Sequence, residues 1–359
     1  MPRILFLLVT TLLLCNLKAF GQATAPKYSN EFLSIGVGAR ALGMSNTQIS
    51  NVSDVTAGYW NPAGLMGIED KYQFSLMHAE YFAGIAKYDY AGFATSVDSL
   101  SHLAVSVIRF AVDDIPDTRF LYDANGAINY GNIRFFSAAD YAFLISYARK
   151  IPALDNLDLG ANFKIVHRNV GSFANAWGFG LDAGARYQHK SWNFGLMLRD
   201  ITGTFNAWSH NSELVFDVYS QTGNEIPENS IEITLPKAIF GVSRAFRIKE
   251  KFGVLAALDL DLSFDGKRNV LLKTDLVSVD PHGGLEFDYQ RIVFLRFGVG
   301  NIQEVKNFDS TYYRTFQPNF GLGVNIKKVA IDYALTDIGN QSDALYSHVF
   351  SLKVSLSPN

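Results

Sequence analysis

The sequence predicts an all-β fold, a roughly 14-stranded antiparallel transmembrane β-barrel with a short helical N-terminal hatch inside its lumen. Three observations predict it: a two-residue hydrophobic alternation that keeps restarting, connections that alternate between short and long, and one N-terminal segment that follows neither pattern. The alternation is plainest at Trp177-Gly-Phe179-Gly-Leu181-Asp182-Ala183-Gly-Ala185-Arg186-Tyr187. Successive side chains of a strand point to opposite faces, so Trp177, Phe179, Leu181, Ala183, Ala185 and Tyr187 share one face. Gly178, Gly180, Asp182, Gly184 and Arg186 share the other. The pattern recurs at Phe194/Leu196/Leu198, Phe252 through Phe264, Leu285/Phe287/Tyr289, Phe320/Leu322/Val324/Ile326 and Phe350/Leu352/Val354/Leu356. The opposite faces carry Gly, Asn, Asp, Ser, Lys or Arg with only an occasional apolar residue, as a greasy exterior around a wet or plugged interior requires.

In chain order, residues 1–21 read as a secretory signal: Arg3 gives a charged start, Ile4 to Leu14 an apolar stretch, and Ala19-Phe20-Gly21 a small-x-small cleavage site. No later stretch reaches the ~20 apolar residues of a membrane-spanning helix. Cys15, the single cysteine, follows Leu14, where lipoprotein processing wants a small residue; it is expected to leave with the signal. That leaves no thiol for disulfides, metal or nucleophilic chemistry, so stability must come from closing a sheet on itself. Aromatics make up 14% of the chain and charged residues 18%, and the net charge of -3 contains no basic run. This excludes a nucleic-acid partner, and nothing calls for a cofactor or metal.

The barrel is read over residues 70–359. Strands are expected near 70–78, 87–97, 101–111, 137–150, 154–166, 175–188, 191–201, 231–247, 251–264, 282–289, 291–300, 316–326, 328–336 and 344–356. Long links run from Ala79 to Ala86, Val112 to Phe136, His167 to Ala174, Ile201 to Ser230, Asp265 to Pro281, Asn301 to Arg314 and Asp337 to Asp343. The intervening links are short, centred on Asp98-Ser99, Ala153, Lys190, Lys249-Glu250, Gln290 and Lys327. Periplasmic turns and external loops of an outer-membrane barrel alternate in this way, which places the N- and C-termini in the periplasm and the chain in contact with outer-membrane lipid and lipopolysaccharide. A soluble sandwich or propeller also alternates, but it offers no second apolar face for the large outward aromatics.

Residues 22–69 break the strand pattern. Ser34 to Met44 is small and Gly-rich, and Asn51 to Leu65 reads as short helix, turn, short helix, with Asn61 as cap and Pro62 at the first helical position. Irregular backbone at membrane depth must be shielded from lipid, so this segment belongs in the lumen as a hatch. Gly38-Ala39-Arg40-Ala41-Leu42-Gly43-Met44, Asp54 and Tyr59-Trp60-Asn61-Pro62-Ala63-Gly64-Leu65 resemble the opening of the PorV/PorQ family, within the wider FadL-like group of outer-membrane transport proteins. That resemblance implies a 14-stranded barrel in the outer membrane of a Bacteroidota-type bacterium, associated with the type IX secretion system. It also marks Gly38, Arg40, Gly43, Asp54, Trp60, Asn61, Pro62 and Gly64 as the hatch motif. One departure is the end of the chain, Leu356-Ser357-Pro358-Asn359, where such barrels usually finish on an aromatic residue.

Other constellations carry little chemistry. Asp259-Leu-Asp261-Leu-Ser263-Phe264-Asp265-Gly266 resembles the start of a calcium loop, but Phe264 stands at the sharp-turn position and Val270 at the twelfth. Gly36, Gly38 and Gly43 lack the strand context and the Lys-Ser/Thr ending of a phosphate loop. His348 shares a face with Phe350 and Leu352, where an aromatic girdle suits it better than a hydrolase base does. Arg40 needs a buried partner, with Asp182, Asp259, Asp261, Glu286 and Asp332 on inward faces as candidates. Two long links are rich in aromatics, Phe120, Tyr122, Tyr130, Phe135 and Phe136 in one and Phe205, Trp208, Phe216 and Tyr219 in the other; they are candidates for docking a partner. The expected function is therefore non-enzymatic: a protein-binding accessory or carrier of type IX secretion that meets the secretion pore, cargo or cell-surface proteins. The alternative is a FadL-like channel for small hydrophobic molecules, for which an apolar pocket beneath the hatch is expected.

Overall fold

The computed structural model describes residues 29–123, 125–336 and 347–357. The expected signal with Cys15, the link from Asp337 to Asp343, and Pro358-Asn359 lie outside the described residues. The strands are β1 (Tyr72–Tyr81), β2 (Ala86–Asp98), β3 (Ser101–Asp117), β4 (Arg134–Lys150), β5 (Leu157–Val170), β6 (Ala174–His189), β7 (Trp192–Arg199), β8 (Thr204–His210), β9 (Ser230–Thr234), β10 (Lys237–Ile248), β11 (Phe252–Ser263), β12 (Leu272–Lys273), β13 (Ser278–Tyr289), β14 (Val293–Lys306), β15 (Tyr312–Ile326), β16 (Val329–Thr336) and β17 (Ser347–Leu356). All pairings are antiparallel, and β17 returns to β1 from Tyr72 opposite Leu356 to Glu80 opposite His348, which closes the sheet. Among the described residues the wall is the expected 14-stranded barrel, with β8, β9 and β12 as accessory pieces.

The accessory pieces correct one expectation. The stretch from Ile201 to Ser230 is not an open loop: β8 pairs with the upper part of β6 while β7 pairs with its lower part, so β7 and β8 are one wall strand interrupted at residues 200–203. β9 continues β10 above Leu235-Pro236 in the same way, and helix Ser212–Thr222 crosses between β8 and β9. Proline lacks the N–H a ladder needs, which accounts for the second interruption.

Burial is inside out, as lipid demands. Outward Trp177, Leu322 and Phe350 are 50%, 54% and 56% exposed, whereas inward Lys164, Arg296 and Asp259 are 3%, 2% and 1% exposed. Long apolar side chains gain nothing by turning inward when hydrocarbon surrounds the wall. The interior is nevertheless not uniformly polar. On β1 to β4 the inward side chains Met77, Ala79, Tyr81, Tyr88, Tyr90, Ile108 and Leu144 are buried against Val55, Tyr59, Trp60 and Leu65, so both faces of this arc are apolar. The core of the protein sits there, between wall and hatch.

Candidate functional site

Residues 29–69 run down the lumen. Ser29 is tied to Thr234 and Glu232 near the long-loop end, and Asp70 meets Ser357 at the short-turn end. The described chain therefore begins on the long-loop side and ends, at Leu356, on the short-turn side. Two single-turn helices, α1 (Ala39–Leu42) and α2 (Ala57–Trp60), are flanked by 3-10 turns at Glu31–Ser34 and Pro62–Gly67. The second predicted helix is thus a 3-10 turn. Asn61 caps it as expected, accepting from the Ala63 N–H at 3.2 Å, and its Nδ2 donates to the carbonyls of Ile49 at 2.8 Å and Ala185 at 3.0 Å. One fully buried amide therefore joins the turn, the hatch and β6.

The other motif residues each have a place. Gly38 adopts φ 89°, where a side chain would strain the backbone entering α1. Gly43 faces Gly321 of β15 so closely that a Cβ would lie 2.8 Å from the Gly321 Cα. A Cβ at Gly64 would lie 2.6 Å from the Val52 carbonyl oxygen. The Trp60 indole N–H donates to the Val37 carbonyl at 2.9 Å, and Pro62 packs on Gly160 and Gly184. Inward glycines of the wall, read in the sequence as a polar face, are the seats on which the hatch backbone rests.

Of five candidate carboxylates, Glu286 is the one that takes Arg40, at 2.8 Å, and it also accepts from Arg296 at 2.6 Å. Arg296 in turn bonds Asp332 at 2.7 Å, and Arg40 reaches Gln48 at 2.8 Å. Asp259 instead accepts the backbone N–H groups of Gln48 and Ile49 at 2.8 and 3.0 Å. Asp54 does not meet Arg40; it pairs with Lys353 of β17 at 3.0 Å and caps Thr56. Burial alone would lower the Arg40 guanidinium, but Glu286 outweighs it and drives the pKa up. Burial would likewise raise the Asp54 carboxyl, yet Lys353, Thr56 and Arg40 hold it down at about 2. A carboxyl depressed in this way stabilises the docked hatch fully above its ordinary range, and the contribution fades as pH falls below that range and is lost by about pH 2.

Above the hatch lies a cavity of about 730 Å³. Its floor is made by Leu42, Ser45, Ile49, Tyr59 and Trp60. One flank is apolar, with Leu33, Tyr81, Phe82, Phe110 and Leu144; the other carries Lys164, Arg199, Asp261, Asp280 and His282. The cavity is on the long-loop side of the hatch rather than beneath it, and it is amphipathic rather than wholly apolar. The second flank holds a network in which Asp182, a candidate partner for Arg40, serves Lys164 instead: Lys164, buried and not singled out in the sequence, lies between Asp182 at 3.0 Å and Asp200 at 2.6 Å.

The aromatic candidates divide. Tyr122, Tyr130 and Phe135 are 64%, 74% and 64% exposed. Phe120 lies under Arg134, and Phe136 packs on Phe173 at 4.9 Å. Phe205 is a strand residue facing outward beside Phe179, while Trp208 binds Glu232 and stacks under Arg168. Phe216 and Tyr219 lie on the helix, Phe216 exposed. Outward His348 meets the Tyr333 hydroxyl at 2.8 Å.

No protein-family model and no curated protein matches the sequence. Solved structures do. The chain has the fold of the toluene transporters. It superposes on the Pseudomonas putida toluene transporter TodX with a TM-score of 0.56 at 13% identity, covering 90% of this chain and 99% of that one. For the Ralstonia pickettii toluene transporter TbuX the values are 0.53 and 14%, covering 89% and 98%. For the CymD monoaromatic hydrocarbon channel they are 0.56 and 13%, covering 90% and 98%. At such identities the likeness is one of fold, a closed antiparallel barrel with a segment of chain inside it.

Proposed function

We propose that the chain is an outer-membrane conduit for small molecules with an apolar body, and that the hatch is its gate. The observation that carries this is the amphipathic cavity between the long loops and the hatch, whose apolar flank is large enough for an aromatic ring and whose floor is a segment held by discrete latches. Solved barrels of the same fold that transport toluene or conduct monoaromatic hydrocarbons support the same use of the lumen. A hatch pinned by ion pairs and hydrogen bonds, rather than by a continuous sheet, can leave without opening the wall.

A second reading, a protein-binding accessory of the type IX secretion kind, draws on Tyr122 and Tyr130, exposed in the link between β3 and β4, and on Phe135, exposed at the long-loop end of β4. One comparison separates the two. Deletion of the gene should slow uptake of small aromatic solutes several-fold while leaving protein secretion intact. Unchanged uptake, together with recovery of secretion-pore or cargo proteins on in-cell crosslinking, would reverse that order.

A further inference from the structure

We infer that the short-turn rim of the wall from β6 to β16 is a receptor for anionic phospholipid headgroups, centred on Arg244. The inference is independent of the conduit reading and concerns the outward face of the wall. The turns joining β6 to β7, β10 to β11, β13 to β14 and β15 to β16 carry Lys190, Lys249, Lys251, Arg291, Lys327 and Lys328, all exposed. Among the described residues none of these six has an ion-pair partner, and the carboxylates beside the same turns are Glu250 and Asp288, the latter held by Arg247 at 3.1 Å. The whole chain has a net charge of -3, and several cations toward the long-loop end are matched, Lys87 by Asp113, Arg119 by Asp117, Arg168 by Asp140 and Lys273 by Glu304. Unmatched positive charge is thus concentrated at this rim, and it attracts anions.

The backbone of these turns is a second observation. Lys190, Lys249, Glu250, Gln290, Arg291 and Lys327 stand at φ between 50° and 57°, the left-handed region that glycine and asparagine enter with least strain in a tight hairpin. None of the four turns places glycine or asparagine there. Four of the six residues are instead Lys or Arg, so what the turns gain in exchange for strain is positive charge.

Arg244 makes lipid the partner. It lies within β10 rather than on a turn, on the outward face with Phe240 and Phe246, and its register partners are Trp192 on β7 and Ala256 on β11. Its guanidinium sits over the rings of Trp192 at 4.9 Å and Phe246 at 4.6 Å, and Nε donates to the Ser191 hydroxyl at 3.2 Å. The two terminal nitrogens have no acceptor among the described residues. Ala256 is small between outward Val254 and Leu258, which leaves space beside the guanidinium for a headgroup. A protein or polymer docked on the turns would not reach down the wall to this point. A phospholipid does, with its phosphate between Arg244 and the turn cations and its acyl chains along Val242, Phe240 and Leu258. A zwitterionic lipid brings its own cation and would leave the charge of the rim unmatched.

Trp192, beside Arg244, is the probe. The full chain is reconstituted in phosphatidylcholine bilayers with increasing brominated phosphatidylglycerol or brominated phosphatidylcholine, and the fluorescence lost in Trp192→Phe separates its signal from that of the three other tryptophans. Brominated phosphatidylglycerol is expected to quench Trp192 at a mole fraction at least about fivefold lower than brominated phosphatidylcholine, the range for one basic residue at an anionic surface. Arg244→Gln should remove most of that preference and Arg244→Lys should keep part of it. Lys249→Gln combined with Lys251→Gln, confined to one turn, should lower the preference too, and it carries the test if Arg244→Gln does not fold. Equal quenching by the two lipids would overturn the inference. So would a preference that survives Arg244→Gln and vanishes with the turn lysines, which would leave the rim to an acidic protein or polymer.

Discussion

Gly298→Val is expected to eject the hatch from a barrel that still forms. Gly298 faces inward on β14, and a Cβ there would fall within 3.0 Å of three hatch backbone atoms, in Met44 and Ser45. Real Cβ atoms essentially never come so close to backbone, and no flexible side-chain end is available to yield. Overpacking of a fitted interior costs about 1–3 kcal/mol where side chains can rearrange, and at this site the whole segment must shift. Arg40 is the only Lys or Arg between residues 29 and 69, so trypsin provides the readout. Cleavage at Arg40 in the variant, with the wall strands protected, is the expected pattern; an intact hatch in a folded variant would show that these glycines are not its seats.

Glu286→Ala is expected to cost about 3–5 kcal/mol, because it strips a buried ion network of its central anion. Glu286 serves two arginines at once, and in its absence, among the described residues, Arg40 is left with the Gln48 side chain and Arg296 with Asp332 and the Phe294 ring. Removing Asp332 should cost less, since Arg296 would retain Glu286. Urea midpoints of the two variants at constant slope measure the difference, and equal midpoints would argue that the network is not organised around Glu286.

The wall was legible in the sequence because lipid outside and polar or glycine positions inside enforce a strict two-residue period, and because loop lengths alternate independently of it. Where the strand breaks, legibility fails. The interruptions at residues 200–203 and at Leu235-Pro236 made Thr204–His210 look like loop, although Phe205 and Asn206 already fall on opposite faces. The apolar inward face of β1 to β4 was missed for another reason: it is specified by what the hatch presents, Tyr59 and Trp60, and a strand read alone does not contain its partner.

The hatch motif was legible as a motif but its connections were not. Nothing in the spacing distinguishes Glu286 from Asp259 as the partner of Arg40, since both lie on inward faces, and the choice depends on how far down the lumen α1 sits. Arg296 could have been found, because the turn centred on Gln290 places it directly across from Glu286. Lys353 and Asp54 lie at opposite ends of the chain and meet only because β17 closes on β1.

The central claim is that passage requires the hatch to move. Gly58 of α2 faces β4 so that a Cβ there would stand 3.6 Å from the Ser146 Cβ, within the span of a disulfide. The chain's one native cysteine is Cys15, so in a Cys15→Ser background the pair Gly58→Cys and Ser146→Cys can form a bond without competition. Flux of a small aromatic solute into proteoliposomes should fall to the protein-free rate when this pair is oxidised and return on reduction. Equal flux in the oxidised and reduced states, with the crosslink verified, would contradict the claim.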